Sequence, residues 1–285
     1  MKSVTLAIIG DSAASGVGDS NHNGVNFGWA YYLAKGFEDP LVFINVSRPG
    51  AQSLEVLQSQ LPRVQIHNPD ICAVIVGGND LLRNGFDPEK LHSNLRLTVK
   101  ALTDQNALVL MILLHDPTKI VPMPKLLANV LDRRVRSVNA VTTAVAREFG
   151  AILLDTRKIE GIYNLVNWHI DRMHPSKIGH QRIAYEFRKL IINFGFEIAE
   201  IEVDKEIKRS KKSSIIWMLR NGTPWFLKRS LDLFPAALLL MAIEGIRSFI
   251  SRKSNYIEAD VLAPNFASDK ESEPMEFSKI EITYR

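Results

Sequence analysis

Val4-Thr-Leu-Ala-Ile-Ile-Gly10-Asp-Ser12-Ala-Ala-Ser-Gly-Val-Gly18 is the stretch on which the fold class turns. An aliphatic, partly β-branched run ends in glycine and a cluster of small residues, which reads as a buried strand closing into a tight loop. Runs of the same kind recur at Leu41–Val46, Ile71–Val76, Leu108–Leu114 and Ala151–Leu154. Helix-compatible segments separate them, around Trp29–Lys35, Pro88–Thr103, Pro124–Phe149 and Gly179–Asn193. Apolar strands alternating with helices predict an α/β sandwich whose mostly parallel sheet is covered on both faces.

In such a sheet Ser12 falls just beyond a strand's carboxyl end, where open α/β folds put their ligands. Glycine-rich loops at that position also bind phosphate. Here no lysine follows the glycines, and Gly16-Val-Gly18 lacks the third glycine of a dinucleotide fingerprint. Taken alone, Ser12 reads most simply as a turn or helix-capping serine. Other segments change that balance. Asn45-Val-Ser-Arg-Pro-Gly50 follows the second strand and Val76-Gly-Gly-Asn79-Asp80 the third, so their loops meet the Ser12 loop on one edge of a parallel sheet. Asp171-Arg-Met-His174 then offers a carboxylate and an imidazole from one short loop.

Gly10-Asp11-Ser12, Gly50, Gly77-Gly78-Asn79-Asp80 and Asp171-x-x-His174 resemble, in order and spacing, the four motifs of the SGNH hydrolases, also called GDSL esterases and lipases. The resemblance covers about residues 4–195. It implies a three-layer α/β/α sandwich with a five-stranded, mainly parallel sheet, and a serine esterase needing neither cofactor nor metal. By the same resemblance Ser12 is the nucleophile, His174 its general base and Asp171 the carboxylate that orients the imidazole. The backbone N–H groups of Ser12 and Gly50 and the side-chain amide of Asn79 form the implied oxyanion hole. Two stretches depart from the common pattern: Ser47-Arg48-Pro49 replaces further small residues, and Pro175-Ser-Lys-Ile-Gly-His180 follows the base.

Bland readings suit the remaining candidates. Cys72 lies within an apolar run and reads as a buried thiol. His180 falls on the last helix as a packing or capping residue, and Ser15 stands outside the Gly-Asp-Ser position. His115-Asp116 ends the fourth strand, with a structural role set against substrate contact. His22 and His169 have no partners at metal-ligand spacing. Trp29 and Tyr31-Tyr32 read as the apolar face of a helix rather than a sugar platform.

The chain has 285 residues and a formal net charge of +4, with a sequence pI near 9.1. The basic cluster Lys205-Glu-Ile-Lys-Arg-Ser-Lys-Lys212 accompanies no nucleic-acid signature, so nucleic acid is not an expected partner. The pattern divides the chain into a hydrolase domain over 1–198 and an extension over 199–285, mostly helical, with a basic linker, an apolar segment and an acidic tail. The apolar core Leu233–Ile243 has about 11 residues, against the roughly 20 of a spanning helix. Residues 205–253 are therefore read as docking, self-associating or lying at a membrane surface. The first ten residues lack a cleavage site and lead directly into Ser12, which points to a cytoplasmic protein, with peripheral membrane contact through residues 205–253 left open. The expected substrate is a small or medium acyl ester: an acetylated carbohydrate, a lipid or a thioester. A catalytically weak carbohydrate- or lipid-binding protein and a membrane-peripheral scaffold are the alternatives.

Overall fold

In the computed structural model, residues 3–83, 85–121, 123 and 125–204 are described. The basic cluster, the apolar segment and the acidic tail of the extension lie outside the described residues. Among the described residues, no helix is long and apolar enough to cross a membrane.

The strands are β1 (Val4–Gly10), β2 (Leu41–Asn45), β3 (Ile71–Ile75), β4 (Leu108–Leu113) and β5 (Ile152–Asp155). They pair in parallel throughout, in the order β2-β1-β3-β4-β5. The chain leaves β1 to build β2 on one side and then returns to build β3 on the other. That reversal opens a crevice at the carboxyl ends of β1 and β3.

The helices are α1 (Gly28–Gly36), α2 (Ser53–Glu55), α3 (Leu61–Gln65), α4 (Gly78–Leu81), α5 (Pro88–Thr103), α6 (Lys125–Phe149) and α7 (Lys177–Ile191). Strand side chains alternate between two cores, as the pleat requires. Leu6, Ile8, Ala73 and Leu110 pack with Trp29, Leu33, Ile183 and Phe187 of α1 and α7. Ala7, Ile9, Cys72, Val74 and Met111 pack on the opposite face with Val64, Leu95, Val99, Val138 and Val145. The three layers follow from this alternation.

The expected strands and the four expected helices are all present, with ends that shift by a residue or two. One segment was not anticipated. Ser53–Gln65 is helical but passes through a wider π-turn over Val56–Gln60, between α2 and α3. Pro62 cannot donate to the carbonyl one turn earlier and its ring crowds that carbonyl, so the widened turn relieves the clash.

Helix ends follow their sequence signals. Asp87 caps α5 by accepting from the N–H groups of Glu89 and Lys90, with Pro88 in the first turn. Ser176 caps α7 by accepting from Gly179 N–H. The described chain stays packed to its end: Ala199 N–H donates to Gly36 O at 2.7 Å, Ile198 and Ile201 are buried, and Lys177 pairs with Asp204 at 2.7 Å.

Candidate active site

Ser12 sits in a tight turn immediately after β1. Asp11 N–H donates to Ile75 O at 3.0 Å, holding the turn to β3. The Asp11 carboxylate accepts from Ala13 N–H at 3.0 Å. Ser15 Oγ donates to Ser12 O at 3.1 Å, which gives the second serine of this loop a structural part. Trp29 Nε1 donates to Ala13 O at 3.0 Å, so this buried aromatic of α1 also braces the loop.

The glycines of the loop have a steric purpose that the fingerprint comparison did not supply. A Cβ on Gly18 would stand 2.1 Å from Pro175 O, and one on Gly28 would stand 2.3 Å from Gly16 Cα. The loop bearing Ser12 is thus pressed against both the loop bearing His174 and the start of α1.

That second loop is closed by its own backbone. Trp168 and Pro175 form an antiparallel bridge, and His169 N–H donates to His174 O at 2.8 Å. Asp171 Oδ1 accepts from the N–H groups of Met173 at 2.9 Å and His174 at 3.0 Å. Its other oxygen, Oδ2, lies 2.8 Å from His174 Nδ1. His174 Nε2 in turn lies 2.7 Å from Ser12 Oγ, across a sequence separation of 162 residues. The three residues expected to act together are therefore in one hydrogen-bonded chain.

Asp171 is held well below the usual carboxylate range. Burial pushes it up, but the His169 and His174 imidazoles, the charge of His174 and the Met173 N–H together outweigh burial. Asp11 goes the other way, raised to about 6 because burial penalises its charge more than Ala13 N–H and His174 relieve it.

The loops after β2 and β3 are tied to each other. Asn79 Nδ2 donates to Ala51 O at 3.1 Å, which orients its amide. The Asp80 carboxylate accepts from Ser53 N–H at 3.1 Å and from Ser53 Oγ at 2.6 Å. Arg48 N–H donates to Gly10 O at 3.1 Å, joining the second loop to the first. Gly50 has φ +86° with open space on its Cβ side. Glycine is required there by backbone conformation as well as by any need to keep the approach clear. The Arg48 side chain, one of the departures noted in the sequence, pairs with Glu55 on the surface.

Other candidates fall where packing put them. Cys72 is fully buried, and burial pushes its thiol up. His180 Nδ1 accepts from Trp29 N–H at 3.2 Å and its Nε2 faces Val17 O at 3.0 Å, which joins α7 to α1 and the Ser12 loop. The His115 ring packs 4.0 Å from that of Trp168. Among the described residues no cluster of three or more His, Cys, Asp or Glu side chains could hold a metal. Gln60, which pairs with Gly10, escaped the sequence reading, and His169, read there only as a histidine without partners at metal-ligand spacing, has its Nδ1 3.2 Å from Asp171 Oδ2. Neither belongs to a motif, and only proximity in the fold reveals them.

The profile of the GDSL-like lipase/acylhydrolase family matches residues 8–182, more than half of the chain. The chain belongs to the GDSL-like lipase/acylhydrolase family. It is an ester hydrolase of the SGNH/GDSL type, with the Ser–His pair present as Ser12 and His174. Solved structures share the fold over nearly their whole length. TesA is 23% identical with a TM-score of 0.53, covering 66% of this chain and 97% of its own. The psychrotrophic esterase EstA from Pseudoalteromonas sp. is 24% identical with a TM-score of 0.52, covering 67% and 97%. A variant of Axe2, an acetyl xylan esterase from Geobacillus stearothermophilus, is 20% identical with a TM-score of 0.54, covering 69% and 97%. At these identities they establish the GDSL-like fold rather than a shared substrate. No curated protein sequence matches the chain.

Proposed function

We infer that Ser12 is the nucleophile of a serine ester hydrolase, with His174 as general base, Asp171 as the carboxylate that orients it, and a small or medium acyl ester as substrate. The observation that carries this reading is the unbroken contact chain from Ser12 Oγ through both nitrogens of His174 to Asp171 Oδ2, at 2.7 and 2.8 Å. His174 Nδ1 carries a hydrogen toward the carboxylate, which leaves Nε2 as the acceptor facing the hydroxyl.

As Ser12 Oγ bonds to the acyl carbon, its proton passes to His174 Nε2. The carbonyl electron pair collects on oxygen, where the N–H groups of Ser12 and Gly50 and the Asn79 amide are the proposed donors. Collapse breaks the bond to the alcohol, or thiol, which departs with the proton held by His174. Water then repeats the sequence on the acyl-serine, returning the acid and Ser12. The EstA and Axe2 likenesses support an ester as substrate. An acetylated carbohydrate, a lipid ester and a thioester all fit this chemistry.

A fluorophosphonate probe tests the reading, because an activated serine attacks phosphorus readily. Mass mapping is expected to place the label on Ser12, and Ser12→Ala is expected to abolish both labelling and hydrolysis across an ester panel. Labelling at Ser15, or labelling that survives Ser12→Ala, overturns the assignment.

A further inference from the structure

Asp171 faces two imidazoles. Its Oδ2 lies 2.8 Å from His174 Nδ1 and 3.2 Å from His169 Nδ1. The first is a hydrogen bond; the second is a close contact between the same oxygen and a second ring nitrogen. Dipole and charge act across such a contact with less need for alignment than a hydrogen bond has.

The position of His169 is built in from two sides. Its N–H donates to His174 O at 2.8 Å and its carbonyl accepts from Arg172 N–H at 2.9 Å, so it belongs to the closed loop that carries the pair. From the opposite side the Ser12 loop presses on it: a Cβ at Gly18 would stand 3.3 Å from the His169 Cβ. Only about a quarter of the His169 side chain is exposed, at 26%, beside 8% for Asp171.

Two lone pairs at 3.2 Å repel, so a stable contact between His169 Nδ1 and Asp171 Oδ2 needs a hydrogen on that nitrogen. Neutral or protonated, His169 then turns a positive end toward the carboxylate on which His174 also relies. Each of the two imidazoles sees an Asp171 charge partly answered by the other.

We propose that His169 is a positioning residue that draws on the negative charge of Asp171 and so limits how strongly His174 holds a proton. This rests on the functional reading above, in which His174 is the general base. Other charged or titratable groups act on the same centre and stay in place throughout the test. Asp11 beyond β1 lies within electrostatic reach of His174 and Asp80. His180 on α7 lies within electrostatic reach of His174, His169 and Asp19. Arg172, on the loop itself, reaches Ile120 O at 3.3 Å.

The test is kcat/KM against pH for the full chain, with a small acetyl ester, in wild type, His169→Phe and His169→Asn. Phenylalanine keeps the bulk and removes the donor, leaving the whole Asp171 charge to His174. The acid limb is then expected to move to higher pH by about half a unit, about threefold in the proton dissociation constant. Asparagine can set an amide N–H near the place of Nδ1, so its limb is expected to stay with the wild type. An unmoved limb in His169→Phe, a movement to lower pH, or an equal movement in both variants overturns the proposal. NMR titration of the His174 ring reads the same shift without turnover. Absence of any Ser12-dependent hydrolysis would therefore defeat the functional reading alone, while the ring titration still decides the part played by His169.

Discussion

The side-chain amide of Gln60 pairs with both backbone polar groups of Gly10, accepting from its N–H at 2.7 Å and donating to its carbonyl at 3.0 Å. Gly10 is the last residue of β1, two positions before Ser12. There Gln60, almost fully buried, takes the place that a further residue of β2 would otherwise fill. Asn139 does the same at the end of β4, holding Leu114 N–H at 2.8 Å and its carbonyl at 2.9 Å. Carboxamides thus finish the sheet at the edge that carries the site.

Gln60→Leu should therefore damage the site from behind. The Gly10 carbonyl keeps Arg48 N–H, but the Gly10 N–H is left buried without its partner, a loss of about 1–3 kcal/mol. Urea unfolding is expected to show that loss, and turnover is expected to fall further than the fraction folded. A variant as stable and as active as the wild type would show that the strand end needs no clamp.

Gly18→Ala and Gly24→Ala separate steric contact from backbone strain. Both glycines have positive φ, +105° and +76°, but only at Gly18 would a Cβ meet an atom, Pro175 O at 2.1 Å. Gly24→Ala should cost about 1–2 kcal/mol, the ordinary penalty of that conformation. Gly18→Ala should cost more and should push the His174 loop away from Ser12, which hydrolysis of a small ester measures. Equal losses in the two variants would count against the close approach.

Acid should weaken the fold through two imidazoles, the fully buried His180 and the half-buried His115. Burial lowers both His115 and His180 to about 4, offset in part by Asp116 in the first and by Val17 O and Asp19 in the second. A base lowered in the folded state contributes stability that is complete above its unfolded value of about 6.5. That contribution is lost as pH falls from there toward about 4, up to about 3 kcal/mol for each group. Protonated His180 would also turn an N–H against the Trp29 N–H that it now accepts from. Unfolding free energies across this window should be less steep in His180→Gln; an identical slope would mean that the ring titrates as it does in the unfolded chain.

Asp11 tilts the balance the opposite way. Its carboxyl is raised from 3.8 to about 6, chiefly by burial, so its contribution is complete below 3.8 and is lost as pH rises through about 6. Asp11→Asn keeps an acceptor for Ala13 N–H without the charge. It is expected to be more stable than wild type at pH about 8, by about 1–3 kcal/mol, and close to it below pH about 4. Thermal unfolding at the two pH values reads this directly.

Two truncations test how far the hydrolase unit extends. Every proposed site residue precedes α7, yet Ile198 and Ile201 are buried in the core shared with α1 and α7. A chain ending after Asp204 is expected to hydrolyse a small ester as the full chain does. One ending after Phe196 loses both isoleucines and should be weaker by about 3–6 kcal/mol, taking about 1.5–3 for each buried side chain. Loss of activity in a folded chain ending at Asp204 would place part of the site in the residues beyond it.

The sequence by itself determined the strands, the four main helices and the order of the motif loops, because each is written in neighbouring residues: an apolar run, a capping Asp87 or Ser176, a glycine at the strand end. It also placed Ser12, Gly50 and Asn79 on one edge, since a parallel sheet brings its carboxyl ends together whatever lies between them; that His174 reaches Ser12 there was decided by the tertiary structure. Ser53–Gln65 stayed illegible because Gln58, Ser59, Gln60 and Pro62 break the apolar periodicity, and the π-turn that accommodates Pro62 shifts the helical register partway along. Only the tertiary structure decided that Gln60 closes the end of β1, that Gly18 lies under Pro175, and that His169 shares Asp171 with His174. The reason is physical: hydrogen bonds and close approaches between loops depend on distances set by the packed helices and sheet, and chain spacing carries no measure of those distances.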